Sequence, residues 1–207
     1  MIYCKLISVL SIIFILLYKL FFIIEYINQH DSKNIRCSLL NKVVISSINT
    51  FLILLIYIKE GISRGFFIFT ITFIFLIFIG YIDYETSYVY EVITKPFLIF
   101  SVIVFITNII GGRTGIKEII YSLICILIMV IMEKTKALGG GDVEVFIGLF
   151  LIFSTYYLLP VIIVMMSMGI SGMAGVLLLL KGKVDLAYRK PLCPSIAIAC
   201  YLIILLI

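Results

Sequence analysis

Runs of isoleucine, leucine, phenylalanine and valine fill most of this chain, and short stretches holding Lys, Arg, Glu, Gly and Pro interrupt them. Bounding the runs at charge gives eight: Leu6–Ile27, Val43–Ile58, Phe66–Ile82, Pro96–Ile110, Glu118–Met132, Val143–Leu158, Pro160–Leu180 and Leu192–Ile207. Apolar positions within them are continuous, without the period-two alternation of a half-buried strand. Their Ile and Phe content would favour strands in water. In lipid, only helices and closed barrels satisfy every backbone N–H and C=O, and a barrel strand alternates. The pattern therefore predicts helices. Several runs fall short of the about 20 residues a span usually needs, so their ends are expected to shift by a few residues.

Composition turns a set of helices into a membrane protein. Hydrophobic residues make up 64% of the chain and charged residues 13%, with a mean hydropathy of +1.30, against about 45–50% and about 25% in a soluble domain. A core of 207 residues cannot hide that much apolar surface, which leaves lipid as the solvent for much of it. The expected fold is all-α, a polytopic membrane helix bundle of about eight transmembrane helices. A soluble enzyme, a disordered chain and a nucleic-acid partner are excluded together. The net charge of +5 is then a sign of orientation. With eight spans, Lys5, Lys59, Arg64, Arg113 and Lys117 fall on one face. Lys33, Arg36, Lys42, Lys95, Lys134, Lys136, Lys181, Lys183, Arg189 and Lys190 fall on the other. The positive-inside rule places the second face in the cytosol and the N-terminus outside.

The first run lacks an A-x-A-like cleavage site, carries Lys19 and Glu25, and is followed by further runs. It is expected to be a retained helix, with Lys19 snorkelling or facing the bundle interior. In the seventh run, Ser171 and Gly175 have small-xxx-small spacing beside Gly169 and Gly172, a pattern read as close helix packing. Cys4, Cys37, Cys125, Cys193 and Cys200 include no C-x-x-C pair. They are read as small buried hydrophobes rather than zinc or redox ligands.

Most carboxylates lie in loops among basic neighbours, but two do not. Asp83 follows the run ending Phe78-Ile79-Gly80-Tyr81-Ile82, and Asp142 ends Gly139-Gly140-Gly141-Asp142 ahead of Val143. Both fall on the cytosolic face, and ionisable groups at the edge of the hydrocarbon are functional candidates. Three glycines let a peptide or a neighbouring helix approach closely. An aspartate there suits the positive end of the helix that follows, which is equally the description of a plain N-cap. Asp83 closes the third run and Asp142 opens the sixth, so neighbouring helices could hold them face to face. Two close carboxylates cannot both ionise easily and share a proton. Such a pair can activate a water and protonate a departing group without metal or cofactor.

At these residues the chain resembles the type IV prepilin peptidases, polytopic membrane aspartyl proteases with a G-x-G-D motif. Gly139-Gly140-Gly141-Asp142 matches that motif, and Ile82-Asp83 matches the family's first catalytic aspartate. The stretch ending Ile93-Thr94-Lys95-Pro96 looks like the family's I-D…P-[DN]-x-L-T-x-P segment, and Pro191-Leu192-Cys193-Pro194-Ser195-Ile196-Ala197 is similar to P-F-G-P-x-x-A. The resemblance runs from about Lys42 to Ile207. It divides the chain into residues 1–42, a first helix and short cytosolic loop, and residues 43–207, a prepilin-peptidase-like domain. It implies catalysis by Asp83 and Asp142, with Gly139, Gly141 and Pro194 supporting them. The implied substrate is a type IV prepilin or pseudopilin with a short basic leader, cut at the cytosolic edge of the bacterial inner membrane.

Departures from the family pattern sharpen the expectation. Tyr90 and Glu91 replace the usual Pro and Asp or Asn, and Cys193 replaces a glycine. A nucleophilic role for Cys193 lacks a histidine partner, His30 being far away in sequence and read as a solvated loop residue. Glu144 replaces a frequent Lys and is expected to point into the headgroups. Asn28–Lys42 contains only Cys37 where many members carry two C-x-x-C pairs. No metal or cofactor is therefore expected, and S-adenosylmethionine would be needed only if a methyltransferase activity were retained. Three other readings compete. A presenilin-type intramembrane protease shares the G-x-G-D idea but would carry P-A-L near the C-terminus. An ion or proton transporter would use the two aspartates as a relay, expected near mid-membrane. A scaffold would need neither.

Overall fold

The computed structural model of the chain describes residues 2–28, 38–89, 91–182 and 191–206. Among them are eight helices and no strand: α1 (Ile2–Asn28), α2 (Leu39–Glu60), α3 (Arg64–Thr86), α4 (Glu91–Ile110), α5 (Ile116–Lys134), α6 (Gly140–Ile152), α7 (Leu159–Leu180) and α8 (Cys193–Leu206). Each apolar run is a helix. Four of them (α2, α3, α4 and α7) are long and apolar enough to cross a membrane. Ile103, Leu127, Met165 and Val176 are each more than half exposed, a surface that calls for lipid. The protein is a membrane helix bundle. The first loop, with His30 and Cys37, lies outside the described residues, as does Tyr90.

Two helices differ from the expected runs in ways that bear on the rest of the fold. Helix α4 starts at Glu91, so Pro96 lies inside it rather than at its start. A proline there forfeits one i→i−4 bond near a helix end, where the loss is smallest. Helix α6 includes two of the three glycines and stops at Ile152, six residues short of the expected Leu158. Polar Ser154 and Thr155 and a pair of tyrosines follow, wound into turns in which the Tyr156 N–H donates to Phe153 O. Thirteen residues span about 20 Å at 1.5 Å per residue, less than the about 30 Å of hydrocarbon.

The chain forms two compact units, Met1–Ile74 and Phe75–Ile207. In the first, α1 packs on α2, whose start is capped by the Ser38 hydroxyl accepting from Asn41 N–H. Lys42, placed among the loop charges by sequence, is instead buried on α2. Its ammonium lies 2.5 Å from Glu25 Oε2 and 3.8 Å from the centre of the Phe22 ring. Removing one partner of a buried pair costs about 3–5 kcal/mol. Glu25 keeps some exposure, which favours the lower end. Lys42→Met is therefore expected to destabilise the detergent-solubilised protein by about 3 kcal/mol, and Lys42→Met with Glu25→Gln to recover most of it. Thermal unfolding of both checks this. Lys19 is exposed on α1.

In the second unit α6 is the hub, packed on α4, α5 and α7, while α8 packs on α7. Val143, Val145, Phe146, Leu149 and Phe150 are all buried, as befits a helix that is apolar all round. Side chains at Gly148 have no room: an added Cβ would lie 2.4 Å from a ring carbon of Phe97. The small-residue stripe of α7 behaves differently from expectation. A Cβ added at Gly169, Gly172 or Gly175 would meet nothing within 4 Å, so no close approach among the described residues calls for these three glycines. Cys125, Cys193 and Cys200 are free and buried, as read.

Candidate active site

Asp83 sits in the last turn of α3 and Asp142 in the first turn of α6. Both face one cleft of about 580 Å³ in the second unit, whose walls include Ser87, Glu133, Lys136 and Ser171. Asp83 is 5% exposed and Asp142 is half-buried. Cys193, the first residue of α8, stands between them. Its main-chain N–H donates to Asp83 Oδ2 at 3.0 Å, and its thiol to Asp142 Oδ1 at 3.1 Å. One carboxylate oxygen from each aspartate and the Cys193 sulfur lie within 4.8 Å of one another. The same three side chains form a donor set able to hold a metal ion.

Local sequence explains how three helix ends meet. Gly80, one turn before Asp83, lies against the chain at Pro194: a Cβ at Gly80 would be 3.2 Å from Pro194 Cα. That close approach brings the start of α8 within reach of Asp83. After α3 the chain turns at Ser87, which has φ 52°. The Thr86 hydroxyl holds this turn: its single proton lies between the carbonyl oxygens of Ile82 and Tyr88, 2.7 and 2.8 Å from Oγ1, and its oxygen accepts from the Tyr88 N–H. The turn delivers Val89 onto α6, where a Cβ at Gly141 would stand 2.5 Å from Val89 Cβ.

The glycines before Asp142 thus serve close contact. None of Gly139, Gly140 and Gly141 has positive φ, and side chains rather than the α3 backbone come near: Val89 at Gly141 and Glu133 at Gly140. Gly139 is the N-cap of α6 with no side chain to cap it. A Cβ there would sit 3.2 Å from Asp142 Oδ2, so a larger residue would crowd the carboxylate directly. Pro194, expected to support the site, lies against Gly80 at the start of α8. Glu144, expected to point into the headgroups, accepts a hydrogen bond from the Thr94 hydroxyl of α4, which joins α4 to α6.

Sequence reasoning missed Gly80, Thr86, Val89 and Thr94, none of which carries chemistry of its own. It also took Cys193 for a plain hydrophobe. A glycine three residues before an aspartate at a run's end is the one signal that was present.

A helical membrane protein with two carboxylates at the floor of one cleft has the parts of a membrane hydrolase. Residues 70–180 match the type IV leader peptidase family. That is more than half of the chain, which belongs to this family and is a peptidase. The matched stretch contains Asp83, the three glycines and Asp142, and ends before Pro191. Comparison with curated proteins and with solved structures gives no match.

Proposed function

We propose that the chain is an aspartic endopeptidase that removes the short basic leader from type IV prepilin or pseudopilin precursors. The observation that carries this reading is the meeting of Asp83 and Asp142, 59 positions apart in sequence, across a cleft large enough for an extended peptide. Both aspartates lie at helix ends, α3 finishing and α6 starting there. A relay for ions would be expected within the helices, and a cut at the membrane edge would be expected where they end.

The pair holds one proton between two carboxyl groups. The ionised carboxylate takes a proton from a water in the cleft, and the resulting hydroxide adds to the scissile carbonyl carbon as the other carboxyl protonates the oxygen. Collapse of the tetrahedral intermediate breaks the C–N bond, and the departing amine takes its proton from the dyad. The two titrate as a unit, so base and acid are not assigned separately. A carboxyl pair can carry out this hydrolysis without a metal or cofactor. The leader peptidase family suits a bacterial inner-membrane protein, and the charge asymmetry of the loops supports a cleft facing the cytosol and an N-terminus outside.

The test is co-expression with a pilin precursor, following leader removal on a gel and product mass for any added methyl group. Wild type is expected to cut, and Asp83→Asn and Asp142→Asn are expected not to. Cleavage by either variant would overturn the dyad.

A further inference from the structure

Cys193 reaches both aspartates with two different donors, and it does so from the start of a third helix. The first N–H groups of a helix have no partner inside it. In α8 the Leu192 carbonyl accepts from Ser195 and Ile196, which makes Cys193 the first helical residue. Pro194 follows and has no N–H to offer. The Cys193 amide is therefore the foremost donor of α8, and it is spent on Asp83. Its thiol donates to Asp142 Oδ1 at 3.1 Å, and the sulfur lies within 4.8 Å of an Asp83 carboxylate oxygen as well. Burial at 1% exposure closes the thiol to solvent, so it is a hydrogen-bond donor here and no nucleophile.

We infer that Cys193 is a positioning residue that sets the separation and orientation of the two carboxylates. This rests on the dyad reading above and adds a third helix to it. One oxygen of Asp142 is tied to α8 through the thiol, while Asp83 is tied to the same residue through the amide. Loss of the thiol frees Asp142 to rotate about its side-chain torsions, while Asp83 keeps its main-chain donor. Displacement of a reacting group by about 1 Å costs on the order of 10²-fold in rate, and a looser carboxylate with its glycine neighbours intact should lose less.

The experiment compares wild type, Cys193→Ala and Cys193→Ser, with Asp83→Asn and Asp142→Asn in the same series, using purified protein in detergent and a pilin precursor. Both cysteine variants are small and keep the amide to Asp83. Cys193→Ala is expected to lower kcat about tenfold with KM within twofold of wild type, a loss confined to the transition state. Cys193→Ser, which restores a donor, is expected to return kcat to within about threefold of wild type. A purely structural role would lower thermal stability in both variants and leave the kcat of folded protein unchanged. Equal kcat for Cys193→Ala and wild type, with both aspartate variants inactive, overturns the positioning role and leaves the dyad standing. Equal loss in Cys193→Ala and Cys193→Ser also overturns it, because the donor would then be irrelevant. Activity in either aspartate variant removes the dyad and this inference together.

Discussion

Asp83→Asn and Asp142→Asn are each expected to lower the rate of leader removal by at least about 10³-fold, with the helix bundle intact. A positioned acid or base contributes about 10²–10⁴-fold, and here each carboxyl serves as both in turn. Asparagine is nearly isosteric and keeps an oxygen that can accept the Cys193 amide at position 83 or the Cys193 thiol at position 142. The packing of α3, α6 and α8 should therefore survive the change. The amide can neither take a proton from water nor carry the shared charge. Because the two act as a unit, the double variant should be about as slow as either single one. Initial cleavage rates measured beside thermal unfolding separate loss of chemistry from loss of fold. If Asp83→Asn still cut within tenfold of wild type, Asp83 would be a cap for α8 and the attacking water would need another base.

How far the sequence anticipates this site depends on the distance over which each signal acts. Eight helices were legible because lipid leaves an unbroken apolar run little else to be. The end of α6 was not, since Phe153–Leu158 is still mostly apolar by composition while Ser154, Thr155 and the nearby Pro160 release the chain into turns. The aspartates stood out because charge at the end of an apolar run is expensive and needs a reason. The glycine triplet announced a place without room for side chains, but nothing local named Val89 as the group that fills it. Cys193 and Asp142 are 51 residues apart, and Thr94 and Glu144 are 50. Each pairing exists only after the helices pack. A cysteine in an apolar stretch gives no sign that its hydrogen will be used, and a glutamate beside a helix start looks solvated until the opposite threonine is seen.

The contact that fixes α6 against α4 gives the second large effect. Gly148 lies six residues beyond Asp142 on the same helix. A Cβ at that position would stand 2.4 and 2.9 Å from two ring carbons of Phe97 and 3.0 Å from Ser101 Oγ. Phe97 and Ser101 are fully buried, so neither can swing into open space. Gly148→Ala is expected to cost about 1–3 kcal/mol by overpacking, and Gly148→Leu at or beyond the top of that range. Because α6 carries Asp142 at its start, folded Gly148→Leu should also cut more slowly than wild type. Phe97→Ala alone should cost about 3–5 kcal/mol through the cavity it leaves. Combined with Gly148→Leu, the new side chain fills the space the ring vacates, and the pair should be more stable than the summed losses by about 1–3 kcal/mol. Thermal unfolding of the four proteins in one detergent closes that cycle. Strict additivity would mean that the Gly148–Phe97 contact does not set the spacing of α4 and α6, and that the hold on Asp142 comes from the Thr94–Glu144 hydrogen bond and the Val89–Gly141 contact instead.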